Sequence, residues 1–371
     1  MTNLNSHVRQ LFTLFFSVFL LLISTNSFAV SYQVTGPTTP YTWIDLTLSG
    51  TNVTPALTDD SVSGNIPIGF TFNYGGTNYT QVVAGSNGWV FFGTSSTAYA
   101  NTTVATVPVS NVLMPYWDDL NPAAIAGRVK YLTQGSAPNR QFIISYIAVP
   151  TYNVTGANTF QIVLNENGSF LYNYQLTNDQ GANATIGYQV TTADLVQFSF
   201  NTASVPNART LTWTRIPPAL LNLKSVTVVS DPFNNATNPK NIPGAVDSYT
   251  INVSNTSQGY VDTGVAITDP IPTNTEMFTG GLTSVAPFTF ADGSPVRGLT
   301  CAFISLSSTT DCIDFSNNSG ATWTYVPITT SDYDPAVTNI RFIPSGVMNG
   351  DTAPAAAPYP NFSVSFKVRI K

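Results

Sequence analysis

The stretch from Ile66 to Gly93 constrains this chain more than any other. Phe70, Phe72 and Tyr74 alternate with polar or small residues up to Gly75-Gly76. The pattern resumes at Tyr79, Val82 and Val83, breaks at Asn87-Gly88, and resumes from Trp89 to Phe92. Apolar residues at every second position suit a strand with one buried face, and Gly-Gly or Asn-Gly between such runs supplies tight hairpin turns. The same grammar reaches the C-terminus, where Phe362, Val364, Phe366, Val368 and Ile370 alternate with Ser363, Ser365, Lys367, Arg369 and Lys371. The pattern predicts an all-β chain with no helix after its leader.

At 371 residues the chain exceeds one ordinary core. Pro217-Pro218 divides it into two expected β-sandwich domains in tandem, 30–216 and 217–371, the second Ig-like. Residues 1–29 read as a cleaved signal peptide. His7 and Arg9 precede the apolar run Leu11 to Ile23, and Ser27-Phe28-Ala29 offers small residues for cleavage after Ala29. The final residues alternate rather than forming a hydrophobic tail, and no membrane span is expected after signal cleavage.

In the first domain, expected strands include Tyr41 to Leu48, Phe142 to Val149 as a central strand, Ala184 to Val190, Leu195 to Phe200 and Thr210 to Arg215. Thr159 to Gln175 is the clearest hairpin, turning at Glu166-Asn167-Gly168. Val112 to Leu120 contains Pro115, with Pro122 close behind, and reads as an edge or turn because proline cannot donate to a ladder. The second domain reads as Lys224 to Ser230, Ser248 to Ser254, Val261 to Thr268, Thr300 to Ser305, Thr322 to Val326, Thr338 to Phe342 and Phe362 to Ile370.

Composition removes several function classes. Charged residues are only 9%, net charge is −6, and 13 Lys plus Arg form no basic run, so nucleic acid is not an expected partner. Apolar residues at 43% and aromatics at 12% exceed what disordered chains carry. His7 is the only histidine and lies in the leader, so the mature chain can build neither a Ser-His or Cys-His nucleophile nor a histidine metal site. The two cysteines, Cys301 and Cys312, are expected to form one structural disulfide in an exported protein.

Ordered motifs in the first domain, FTFNYGGTNYTQVVAGSNGWVFFG, LMPYWDDLNP, GRVKY, APNRQFIISY and TFQIVLNENGSFLYNY, resemble the nidogen-type β-sandwich module of bacterial secreted and surface proteins. The second domain resembles the Ig-like conserved-repeat family known as domain of unknown function eleven. It does so through Ile242-Pro243-Gly244, DSYTINVSNT, VAITDPIP and NFSVSFKVRIK. The resemblances imply structural or adhesive modules and carry no catalytic residues.

Asp118 and Asp119, with Asn121 nearby, present hard oxygens in a turn and are the candidate calcium ligands, while the reading that the pattern favours has both carboxylates bracing the turn through backbone amides. No other cofactor is indicated. Asp59-Asp60 and the Asp332-x-Asp334 pair read as turn residues. Trp43, Tyr79, Trp89, Tyr116 and Trp117 could stack on sugar rings, but aromatics at alternating positions more often form core. Only Glu166, in the hairpin turn, and Glu276, in a loop, remain as glutamates for acid–base chemistry. The expectation is a non-enzymatic protein, secreted, at the cell surface or in the periplasm, acting in adhesion or matrix association through sandwich loops. Its partner would be an extracellular protein or glycan. The alternative is a carbohydrate-binding or carbohydrate-processing protein, to be told apart by whether the aromatics are exposed in a row or buried.

Overall fold

A computed structural model describes residues 30–38, 41–124, 128–154, 156–261, 264–293, 298–351 and 357–371. The leader, 1–29, lies outside the described residues. The described chain is strands and loops with two short 3-10 turns, Val104–Thr106 and Pro122–Ala124.

The first half contains β1 (Tyr32–Thr38), β2 (Thr51–Asn52), β3 (Ile66–Tyr74), β4 (Thr77–Gly85), β5 (Trp89–Phe91), β6 (Val112–Trp117) and β7 (Val129–Gln134). It continues with β8 (Gln141–Val149), β9 (Asn158–Asn165), β10 (Phe170–Leu176), β11 (Thr185–Thr191), β12 (Asp194–Phe200) and β13 (Arg209–Arg215). Two sheets form, ordered β1-β13-β10-β9-β8-β7-β2 and β12-β11-β6-β5-β4-β3, and their facing sides share one core. The hairpin expected at Glu166-Asn167-Gly168 joins β9 to β10, with Gly168 at φ +87.

Tyrosines bolt these sheets together. Tyr146, Tyr172 and Tyr174, all fully buried, donate hydroxyl hydrogen bonds to the carbonyls of Gly85, Gly187 and Pro115 in the opposite sheet, at 2.7, 2.8 and 2.8 Å. A buried hydroxyl needs such a partner, or the aromatic surface it carries would be offset by desolvation.

The outer faces are covered too, which explains the nearly continuous apolar run of β8. Trp89, Phe91, Met114 and Trp117 fill a cluster behind the six-stranded sheet, where the Trp89 and Trp117 rings stack at 4.3 Å. Leu46 with Ile143 and Val163 fills another behind the seven-stranded sheet.

Two strand expectations need correction here. Tyr41 to Leu48 is not a strand. It alternates because Ile44 and Leu46 insert against the outer face of the seven-stranded sheet. Its backbone bonds go to side chains: Ile44 N–H to Gln161 Oε1 at 3.2 Å, Gln161 Nε2 to Ile44 O at 3.0 Å and Asn173 Nδ2 to Thr42 O at 3.0 Å. Val112 to Leu120 is no edge: β6 is interior and fully buried, paired with β5 and β11. Pro115 is tolerated because the β11–β6 register slips between Met114 and Trp117, so no ladder bond is required of its missing N–H.

The second half contains β14 (Leu220–Ser230), β15 (Val246–Asn255), β16 (Ile267–Pro270), β17 (Thr275–Phe278), β18 (Phe288–Asp292), β19 (Ile313–Ser316), β20 (Tyr333–Asp334), β21 (Asn339–Phe342) and β22 (Asn361–Ile370). One sheet runs β14-β15-β22-β17-β20, with β18 also on β22; the other is β16-β21-β19. No strand pairing among the described residues links the two halves. β22 lies inside its sheet, with Phe362, Val364, Phe366 and Val368 buried. Cys301 and Cys312 form the disulfide. Thr300 to Ser305 and Thr322 to Val326, expected as strands, make isolated bonds instead: Thr300 bridges Ser345, and Tyr325 N–H reaches Phe315 O at 3.3 Å. Val261 to Thr268 shortens to the end that becomes β16; Asp262 and Thr263 lie outside the described residues.

Candidate functional site: the loop end of the first sandwich

Five connections of the first half meet at one end. They are the segment between β5 and β6, the turn after β6, and the β8–β9, β10–β11 and β12–β13 loops. Asn101, Asp118, Thr151, Val154, Asn178, Asp179, Asn183 and Asn201 from these loops line a cleft of about 500 Å³.

The geometry begins at Asn87-Gly88. Gly88 sits at φ +78, and a Cβ there would lie 2.1 Å from the Tyr116 carbonyl oxygen, so the turn closes on the end of β6 only with glycine. Asn87, fully buried, accepts the Leu120 N–H at 2.9 Å and donates to Asp60 Oδ1 at 2.9 Å; its carbonyl accepts the Asp118 N–H at 3.3 Å. Asn87 therefore clamps the turn that carries both aspartates. Its role was hidden because Asn-Gly reads first as a hairpin signal.

The two aspartates keep different neighbours. Asp118 lines the cleft and is only 8% exposed; its Oδ1 accepts the Asp119 N–H at 2.8 Å. Asp119 instead has its carboxylate within 4.8 Å of those of Asp59 and Asp60. Asp59 and Asp60 occupy the turn expected of them, with Asp60 at φ 48.

Electrostatics separate the carboxylates further. Burial, reinforced by the charges of Asp179 and Asp119, pushes Asp118 up to about 6 despite the bond from the Asp119 N–H. Burial and then the charges of Asp60 and Asp59 raise Asp119. Burial also acts to raise Asp179, but its donors outweigh it and hold the group below the usual range. Those donors are the Tyr116 hydroxyl, the Gly181 N–H at 2.9 Å, the Asn183 N–H at 3.0 Å and Asn183 Nδ2 at 2.8 Å.

The remaining candidates are packed or paired within the fold. Trp89, Tyr116 and Trp117 are fully buried, Trp43 is half-buried beside Tyr41, and Tyr79 is half-buried against Phe92, so these five form no exposed row. Glu166 pairs with Arg140 at the opposite end, where the guanidinium and the Arg140 N–H hold its carboxyl at about 2. Glu276 pairs with Arg369 at 2.6 Å. Asp332 accepts the Leu282 and Thr283 N–H groups, and buried Asp334 accepts those of Ile328 and Ala336 together with the Tyr325 hydroxyl.

No helix among the described residues is long and apolar enough to cross a membrane. No curated protein and no solved structure matches this chain. The NIDO-related family model matches residues 31–219, just over half of the chain and the whole of the first sandwich. That match agrees with the nidogen-like motifs and with an extracellular setting, and the chain belongs to the NIDO-related family.

Proposed function

We propose that this is an exported, non-enzymatic interaction protein acting in adhesion or extracellular-matrix association, with the loop end of the NIDO-related half as its contact surface. One observation carries the reading: five connections place polar side chains around a single open cleft, while the large aromatics of the same half are mostly sealed in its core. Loops held by a rigid scaffold are where binding residues concentrate. The leader pattern and the disulfide favour an oxidising compartment. The second half, read as an Ig-like conserved repeat, serves as a structural module carrying the first.

Binding rather than catalysis is supported by the state of the acids. Both mature glutamates are ion-paired to arginine, and the Asp179 oxygens already take four donors. Carbohydrate processing by paired carboxylates would need a second free group beside Asp118.

The test is retention of beads coated with the exported protein on immobilised matrix proteins and glycans. Retention should be lost in the triple variant Asn101→Ala, Asp118→Ala, Asn183→Ala and kept in Arg140→Ala at the opposite end. Retention no better than that of uncoated beads would refute the proposal. N-terminal sequencing of the exported protein should begin at Val30; finding Met1 would remove the export step.

A further inference from the structure

The groups left unused in the cleft are mixed in kind. Asp118 is 92% buried by its 8% exposure, yet only Oδ1 has a donor; Oδ2 has no protein donor among the described residues and is not sealed from solvent. Asn101 uses its Nδ2 on Thr185 Oγ1 at 3.2 Å and Asn201 Oδ1 at 2.8 Å, which leaves Asn101 Oδ1 as an acceptor. Asn183 likewise commits its Nδ2 to Asp179 and keeps Oδ1. Asn201 Nδ2 and the Thr151 hydroxyl, which accepts from Asn158 Nδ2 at 3.2 Å, remain as donors.

A bare cation would be served by acceptors alone. Three acceptors and two donors around one opening match groups that both donate and accept, which is what a row of sugar hydroxyls does. A volume of about 500 Å³ is in the range of small-ligand sites. The two carboxylates, with no Lys or Arg among the lining residues, repel anionic ligands.

With the large aromatics mostly sealed away and no stacking platform among the lining residues, recognition here falls to hydrogen bonds, and we infer that this cleft binds a neutral sugar unit of a glycan, with Asp118 Oδ2 accepting from a hydroxyl and Asn101, Asn183, Asn201 and Thr151 completing the contacts. This rests on the loop end being the contact surface and names what it contacts. Hydrogen bonds to a charged acceptor are about twice as strong as neutral ones, so Asp118 is the anchor.

The experiment probes a glycan array carrying neutral, uronic and sialylated structures with the full exported protein, followed by saturation-transfer NMR on the neutral hits. Neutral glycans should bind and acidic ones should not. Asp118→Asn, which keeps shape and the Asp119 N–H acceptor, should weaken binding at least tenfold. Val154→Trp, at a half-exposed rim position, should block it sterically without touching the core. A silent array, equal binding of acidic glycans, or indifference to both variants would overturn the assignment. If beads are still retained on matrix proteins in an Asp118-dependent way while the array is silent, the sugar assignment fails and the contact surface stands. If neither assay gives a signal, both fail.

Discussion

The two halves use the same strand grammar and bury it differently. In the first, both outer sheet faces carry covered apolar clusters, and buried tyrosines cross the core to carbonyls of the facing sheet. In the second, the core is built mostly from Phe, Val, Ile and Met, no tyrosine among the described residues is fully buried, and the covering sheet has three strands. β14 is left at the edge with Leu221 57% and Leu223 67% exposed, although its apolar content equals that of a core strand. Alternation shows that a strand has two faces. How much of either face is covered depends on the area of the facing layer.

The largest expected effect breaks the second core alone. Phe366, 1% exposed in mid-strand, packs against Tyr249 at 5.5 Å, and Phe366→Ala should cost about 3–5 kcal/mol. Calorimetry should show the transition of the second half falling while that of the first stays in place. If both move together, the halves are one cooperative unit.

The disulfide sharpens the same contrast. Cys301→Ser with Cys312→Ser opens an eleven-residue separation and should cost about 3 kcal/mol, roughly 10 °C in a unit of this size, again in the second half only. A first-half transition that shifts with it would count against separate folding.

The first half holds its own liability in Asp118. Folded, this group keeps its proton up to about pH 6, whereas an unfolded carboxyl releases it near 3.8. Between those values the folded state binds more protons, so stability falls as pH rises through the window and the loss is complete above about pH 6. Two units correspond to about 2–3 kcal/mol. Asp118→Asn should therefore leave stability at pH 3.5 nearly unchanged, stabilise the first half at pH 8 by up to that amount, and flatten the profile between. Denaturant melts across this range check it, and an unchanged pH profile would mean Asp118 is not desolvated. A carboxylate that lowers stability at neutral pH while lining a cleft is the pattern expected of a binding group.

Smaller still is the effect of relieving β14. Leu221→Ser with Leu223→Ser should change stability by within about 0.5 kcal/mol per site yet reduce self-association, because a long exposed apolar edge is an aggregation template. Light scattering against concentration reads the second effect; a clear fall in melting temperature would show that these leucines are covered after all.

Smallest is calcium. The carboxylates of Asp59, Asp60 and Asp119 are close, but calcium requires six to eight oxygens, so millimolar calcium should move the melt by less than about 1 °C. A larger rise that Asp60→Asn removes would make these three a metal site.

Much of the fold was legible in local pattern. The alternation of Phe362 to Ile370 requires a half-buried strand whatever surrounds it, and Asn167-Gly168 and Gly75-Gly76 supply the positive φ that tight turns demand. The Cys301–Cys312 pairing likewise followed from residue type and spacing. The tertiary structure decided where each strand sits. It placed Pro115 inside a sheet because a register slip removed the bond that proline could not make, and laid Tyr41 to Leu48 across a sheet face because Gln161 and Asn173 satisfy its backbone. It also gave Asp118 and Asp119 different surroundings. Neighbours in sequence at the end of a strand point to opposite sides, and the loops that meet each side come from residues as distant as Asp59 and Asn201, which no local pattern connects.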